Sequence, residues 1–281
     1  MSAVEGFCLV NGQWSDVIPA RDRGLAYGHG IFETIRLSDG KLLMSELHLE
    51  RLKRGAERLS IPVDSTIVQS YLEMLLSRCP DHGVVKVICT AGEGARGYRT
   101  YPQTPPNFIV HWGPPPDYPN HWVTEGISAM VCEQRLASFP RLAGIKHLNR
   151  LEQVLARMEW QDQFQEGLMR DNEGHIIEGT MTNLFCFRDG GWLTPSLKSC
   201  GVAGVMRQYL MDKLMPAMNC PVRESQLSLE SLSGMEELFV CNSIAGIWPV
   251  RHIADVGQWK PGKATKAVSS ALSENFACFS A

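Results

Sequence analysis

The stretch Gly113-Pro114-Pro115-Pro116-Asp117-Tyr118-Pro119 constrains this chain more than any other. Proline fixes φ and lacks an N–H, so a helix interior or a central strand cannot run through it. The run reads as a linker over residues 114–119, between a small α+β domain at 1–113 and a second domain at 120–281. A rigid surface loop within one domain is the alternative. A chain of 281 residues suits either case, at roughly 100–200 residues per domain, and it can bury a core without staples.

Hydrophobic periodicity fills in both sides of the run. Gly6 to Val10 reads as a strand closed by the turn Asn11-Gly12, and Ile31 to Leu37 as a strand turned by Asp39-Gly40 into Lys41 to Met44. Ser45 caps an expected helix to Leu59 with a stripe of Leu49, Leu52, Ala56 and Leu59, and Asp64-Ser65 opens another. Val84 to Thr90 and Asn107 to Trp112 read as strands. Beyond the prolines the expectation is a strand at Ser128 to Cys132 and a helix from Asn149 to about Gln163 with Leu151, Val154, Leu155 and Met158 inward. Short strands follow at Leu168 to Asp171, His175 to Glu178, Asn183 to Phe187 and Trp192-Leu193. Gly204 opens a helix, Glu237 to Cys241 and Gly246 to Ile253 are late strands, and a helix covers Ala264 to Phe276. The class is α+β.

Several chemistries lack support. A net charge of −3 gives no reason to expect nucleic acid or an anionic membrane as partner. Nine scattered cysteines without a C-x-x-C pair argue against a disulfide framework or thiolate zinc site, and suit a reducing cytoplasm. The N-terminus has no signal-peptide pattern, and no stretch reaches the ~20 apolar residues of a membrane helix. No H-E-x-x-H pattern or compact His/Cys/carboxylate cluster stands out, so no metal is expected. Gly92-Glu93-Gly94-Ala95-Arg96-Gly97 spells G-x-G-x-x-G after a strand, but Tyr98-Arg99-Thr100-Tyr101-Pro102 follows where a dinucleotide fold needs a helix. It reads as a flexible loop with Arg96 at its tip.

One segment points elsewhere. Lys146 lies in Gly144-Ile145-Lys146-His147-Leu148-Asn149-Arg150-Leu151-Glu152-Gln153. This stretch closely resembles the lysine segment of the fold type IV pyridoxal-phosphate enzymes. That family includes branched-chain and D-amino-acid aminotransferases and 4-amino-4-deoxychorismate lyases, and the segment is most similar to the lyases. Four further motifs match in order. Asp22 to Thr34 resembles the "DRG…GDG" segment, with His29 replacing the usual acid. His48-Leu49-Glu50-Arg51-Leu52 resembles the H-x-x-R-L helix. Ile177 to Asn183 is similar to the glutamate loop, and Gly201 to Arg207 to the phosphate turn.

The resemblance implies a two-domain fold type IV architecture, a small N-terminal α/β domain and a larger strand-rich C-terminal one, with pyridoxal 5'-phosphate held as a Schiff base by Lys146. A lysine supplies the amine, and later moves protons once substrate displaces it. Glu178 is implied beside the ring nitrogen. The phosphate falls to the N–H groups of Val205 and Met206 at a helix start and to the guanidinium of Arg51. Asn242 and Ser243 match a polar pair that touches ring and phosphate. Arg96, Tyr98 and His29 are the implied substrate contacts, and Thr34 a proton relay. The implied reaction is conversion of 4-amino-4-deoxychorismate into 4-aminobenzoate and pyruvate, a step of folate biosynthesis, by a cytoplasmic homodimer. An aminotransferase for D- or branched-chain amino acids is the alternative, since Phe32-Glu33-Thr34 is widespread in those branches. A cofactor-free binding protein on the same scaffold would be expected to lose Lys146 or Glu178.

Overall fold

A computed structural model describes residues 7–94, 96–101 and 103–280 of the protein. It divides into two compact units, Met1–Pro116 with Ile145–Asn149, and Asp117–Gly144 with Arg150–Ala281. The division falls inside the proline run.

The first unit is built on a six-stranded sheet. Its strands are β1 (Cys8–Val10), β2 (Gln13–Trp14), β3 (Gly30–Ser38), β4 (Lys41–Leu42), β5 (Gly83–Thr90) and β6 (Asn107–Gly113), ordered β2-β1-β6-β5-β3-β4. The expected start of β1 at Gly6 lies outside the described residues. Every pairing is antiparallel. The sheet alternates as the period-2 rule demands. Ile31, Glu33, Ile35 and Leu37 are buried, with Val85, Val87, Cys89, Phe108, Val110 and Trp112. Phe32, Thr34, Arg36, Lys86 and Ile88 occupy the other, half-open face.

Helices α1 (Arg23–Tyr27), α2 (Ser45–Arg58) and α3 (Ser65–Leu76) complete this unit. Asp22 caps α1 by accepting from the Leu25 N–H at 3.0 Å, and its second oxygen accepts from Thr90 and Asn107. Asp64 caps α3, as its sequence predicts. Helix α2 departs from expectation. Ser45 is its first residue and Met44 its N-cap, with no side-chain cap bond. Its buried face is His48, Arg51, Leu52, Gly55 and Ala56, while Leu49 and Leu59 are only half-buried.

The second unit carries a nine-stranded sheet of β7 (Ile127–Leu136), β8 (Glu166–Asp171), β9 (Ile176–Gly179), β10 (Asn183–Arg188), β11 (Gly191–Pro195), β12 (Val222–Ser225), β13 (Glu237–Asn242), β14 (Gly246–Ile253) and β15 (Gly257–Gln258). The order is β12-β11-β10-β13-β14-β7-β8-β9, with β15 on β14. Parallel pairs β11·β12, β14·β7 and β7·β8 sit among antiparallel neighbours. One core gathers Ile127, Leu168, Leu184, Leu238, Val240, Trp248 and Val250. The helices are α4 (His121–Thr124), α5 (Leu151–Arg157), α6 (Val205–Tyr209), α7 (Met215–Ala217), α8 (Leu229–Leu232) and α9 (Lys263–Asn275), with a π-helical turn at Leu210–Leu214 joining α6 to α7.

Helix α5 corrects the sequence reading. It ends at Arg157, and its apolar stripe faces solvent: Leu151 is 68%, Val154 51%, Leu155 45% and Met158 74% exposed. Trp160, just beyond the helix, fills the underlying core with Cys132, Leu136, Ala156, Met169, Ile177 and Cys200. The periodicity identified an apolar face, but within α5 it is Ala156, not that stripe, that joins the core beneath. No helix among the described residues is long and apolar enough to cross a membrane.

Candidate active site

In the first unit, β3 has a free outer edge where β4 stops short. The segment at Ile145–Asn149 takes that edge. The Phe32 N–H donates to the Lys146 carbonyl at 2.9 Å, the Leu148 N–H donates to Gly30 at 2.9 Å, and Ile31 bridges His147. Gly28 ends α1 in the left-handed region at φ 64°. Asn149 donates to its carbonyl at 3.0 Å and approaches so closely that a Cβ there would collide with the Asn149 side chain. Lys146 is thereby fixed by backbone pairing on both sides.

The Lys146 Nζ lies 4.5 Å from the centre of the Phe32 ring. A second amine, Lys86 Nζ, lies 5.1 Å from the same centre. Lys86 is register-paired with Thr34 across β3·β5, and has no carboxylate partner among the described residues. His111 stands opposite Lys86 on β6, where burial first and then the Lys86 charge push its pKa down. Lys86 was not singled out from the sequence. Its signal is a charge at a position two residues from Ile88 and Val84, on the phase of β5 shared with Thr34 and Phe32 across the register.

Beneath this face lies a buried ionic cluster. Arg51 Nε donates to Glu33 Oε1 at 2.8 Å and Nη2 to Oε2, a bidentate fork, and His48 Nδ1 donates to Oε2 at 2.6 Å. Glu33 is 2% exposed and His48 fully buried. Burial raises the Glu33 carboxyl, but the Arg51 guanidinium and His48 overturn that and hold it at about 2. Burial pushes His48 down, against the pull of Glu33 and with help from the Arg51 and Lys146 charges. With Glu33 ionised beside it, Nδ1 is the donor of this pair. Arg51, expected at a phosphate, has two nitrogens committed to Glu33.

Among its described residues, the loop after β5 contains no helix. Arg96 and Tyr98 are exposed on it, Tyr98 by 84%. His29, expected at substrate, has both ring nitrogens engaged: Nδ1 accepts from Arg23 Nε at 3.3 Å, and Nε2 donates to the Leu59 carbonyl at 3.0 Å.

In the second unit, Glu178 closes β9 and is 4% exposed. Its Oε2 accepts the Val202 N–H at 2.8 Å. The Arg150 guanidinium is close enough to feel the Glu178 charge, which opposes the downward effect of its burial. Asn183 ties the next turn, donating to the Val202 carbonyl at 3.0 Å and accepting the Gly204 N–H at 3.1 Å. Gly144, two residues before Lys146, pairs with the same turn through its N–H to Gly201 at 2.8 Å. Gly204 then caps α6, whose first N–H groups belong to the buried Val205 and Met206. As first-turn amides they have no acceptor within the helix.

Glu166, fully buried, organises the 179–183 loop. It accepts from the N–H groups of Gly167 and Thr180 at 2.8 and 3.0 Å and from the hydroxyls of Thr180 and Thr182 at 2.6 and 2.7 Å. The Asn242 side chain is spent on its own turn, accepting from Ile244 and Ala245 at 2.9 and 2.7 Å and donating to the Met181 carbonyl at 3.3 Å. Ser243, half-buried, follows in that turn. Asp171, Glu173 and His175 gather at the β8–β9 hairpin, a compact cluster that the sequence did not suggest. Asp171 is occupied there, accepting the Glu173 and His175 N–H groups at 3.0 and 2.9 Å.

A family model described as amino-transferase class IV matches residues 30–253. The chain belongs to the class IV aminotransferase family. Among relatives of this class IV chain, an aminodeoxychorismate lyase of Vibrio harveyi is 33% identical over 87% of this chain and 90% of its own. A solved 4-amino-4-deoxychorismate lyase from Pseudomonas aeruginosa superposes with a TM-score of 0.91 at 40% identity, covering 96% of this chain and 99% of that one. The branched-chain amino acid aminotransferase of Escherichia coli follows at TM-score 0.85 and 25% identity, covering 98% and 94%. The expected two-domain α+β architecture of fold type IV holds.

Proposed function

We propose that this class IV enzyme converts 4-amino-4-deoxychorismate into 4-aminobenzoate and pyruvate with pyridoxal 5'-phosphate as cofactor. The observation that carries the reading is the sheet face where two amines flank Phe32. One amine suits a covalent cofactor. The other, Lys86, suits a carboxylate of a substrate that bears two. The two lyase relatives support the same choice.

The residues present fit the cofactor. Val205 and Met206 offer unpaired first-turn amides for a phosphate, the buried Glu178 offers an acceptor for a protonated ring nitrogen, and Lys146 offers the amine. Ser243 and Arg51 are further candidates for the phosphate and ring. When bound, pyridoxal phosphate supplies a protonated pyridine ring that draws electrons from the carbon carrying the substrate amine. Lys146 Nζ then removes the proton from that ring carbon and returns a proton to the departing enolpyruvyl side chain. Thr34 hydroxyl, on the same sheet face, is the relay to that side chain. Arg96 and Lys86 take the carboxylates, and Tyr98 covers the substrate ring. Aromatisation of the product drives the elimination.

The exposed stripe of α5 supports a homodimer, in which a second copy covers it, and the buried thiols suit a reducing cytoplasm. The test is direct. The purified protein should carry a visible absorption band, and borohydride should fix the cofactor mass on the Lys146 peptide. Supplied with 4-amino-4-deoxychorismate alone, it should release 4-aminobenzoate and pyruvate together. Turnover that requires a keto-acid acceptor would overturn the lyase reading in favour of an aminotransferase.

A further inference from the structure

Arg23 is the least expected buried charge in the first unit. It is 5% exposed and has no carboxylate partner among the described residues. Burying an unpaired guanidinium is expensive unless its donors are satisfied. Here they are satisfied by one loop. Nη1 donates to the Gly97 carbonyl and Nη2 to the Tyr98 carbonyl, both at 3.2 Å, while Nε donates to His29 Nδ1. The guanidinium lies 5.0 Å from the centre of the Tyr27 ring, and Tyr27 meets Tyr98 edge-on at 5.4 Å.

The platform beneath Arg23 is rigid. Asp22 ties the start of α1 to Thr90 and Asn107, and the Arg23 N–H donates to Gly92 at 2.8 Å. His29 is itself anchored to Leu59. Gly97 sits at φ 88° with open space around it, and the Tyr98 ring projects into solvent. Gly94 packs so close to the Arg23 side chain that a Cβ there would come within 2.9 Å of it. A planar fork suits two successive carbonyls, which a lysine point charge cannot match.

We propose that Arg23 is a positioning residue: its guanidinium clamps the Gly97 and Tyr98 carbonyls and so sets where Arg96 and Tyr98 meet the substrate. His29 belongs to this clamp rather than to the substrate. The inference rests on the reading of that loop as substrate-binding given above.

The test uses the cofactor-loaded enzyme with Arg23→Met and Arg23→Lys, each alone and in an Arg96→Met background. We expect Arg23→Met to keep the visible band, hold kcat within about three-fold and raise KM about ten-fold or more, with Arg23→Lys between it and the parent. In the Arg96→Met background the same change should raise KM by a smaller factor than it does alone, because only the placement of Tyr98 is then left to lose. Amide exchange over residues 96–101 should quicken in both single variants while exchange across β5 stays unchanged. An unchanged KM, a penalty that multiplies with Arg96→Met, or unchanged loop exchange overturns the proposal. Should Arg23→Met fail to fold, Arg23→Lys is judged by the same criteria. Amide exchange needs no turnover, so an enzyme that binds cofactor but releases no 4-aminobenzoate would defeat the lyase reading and leave the clamp to be judged by exchange alone.

Discussion

Glu33 shows how one side chain can serve as a structural counterion inside a catalytic unit. Its carboxylate accepts both arms of the Arg51 fork. Replacing it by Gln leaves a buried guanidinium without its charge partner, a change that costs about 3–5 kcal/mol. Chemical denaturation should report a loss of that order for Glu33→Gln. Its acid dependence follows from sign. The folded carboxyl is held at about 2 against an ordinary 4.5. Its stabilisation is full above pH 4.5 and is lost as pH falls toward 2. His48, pushed down by burial, adds a penalty once the solution drops below the usual imidazole range. The melting temperature should therefore fall through that acid window, and Glu33→Gln should flatten the fall. On the proposed function, Lys146→Ala should remove both the visible band and product formation, read by absorbance and by 4-aminobenzoate release. Lys146 and Glu178 were singled out because each sits in a local motif. The Glu33–Arg51 pair was not, since its partners are separated by 18 residues and belong to different elements. The clue was present all the same: Glu33 lies on the strand phase of Ile31 and Ile35, and an acid there must find a cation.

At the scale of elements, most strands were read from alternation and turn residues, while the short β2, β12 and β15 were missed and β7 runs beyond its expected end at Cys132. Strand β5 was expected from Val84 and runs from Gly83, and β14 has the expected limits. Helix α5 was misread in its direction, because a 3.6-residue stripe records that a face is apolar and not what covers it. Charging the stripe tests the cover. Val154→Glu with Leu155→Lys should shift the protein to a monomer in sedimentation, with its unfolding temperature little changed if the stripe is truly outside the core. The 179–183 loop makes a second prediction. Glu166 holds three backbone N–H groups, those of Gly167, Thr180 and Met181, and two hydroxyls with one carboxylate. Glu166→Ala strands those donors in the interior, at roughly 1–3 kcal/mol for each unsatisfied group. Calorimetry should show a melting point lower by many degrees, and cofactor retention should weaken because Glu178 shares the strand that this loop leaves.

Across the whole molecule, nine cysteines are free, and the buried ones are chemically quiet. Burial pushes Cys89 and Cys132 to about 12 and Cys200 to about 11, with Cys186 and Cys241 raised further. A thiol reagent should modify the native protein slowly and incompletely, and reductant should leave its melting temperature unchanged. Composition foretold the absence of a disulfide framework but not this protection, which depends on where each thiol lands. The five residues Ile145–Asn149 have a different kind of consequence. They complete the sheet of a unit whose other residues ended about thirty positions earlier. A gene cut at the prolines would not yield two self-sufficient pieces. The upstream product would lack the segment whose Lys146 carbonyl accepts the Phe32 N–H, and Lys146 would travel with the wrong half. Any shuffling of these units between relatives must carry that short insert along with the first, as a tenon travels with its mortise.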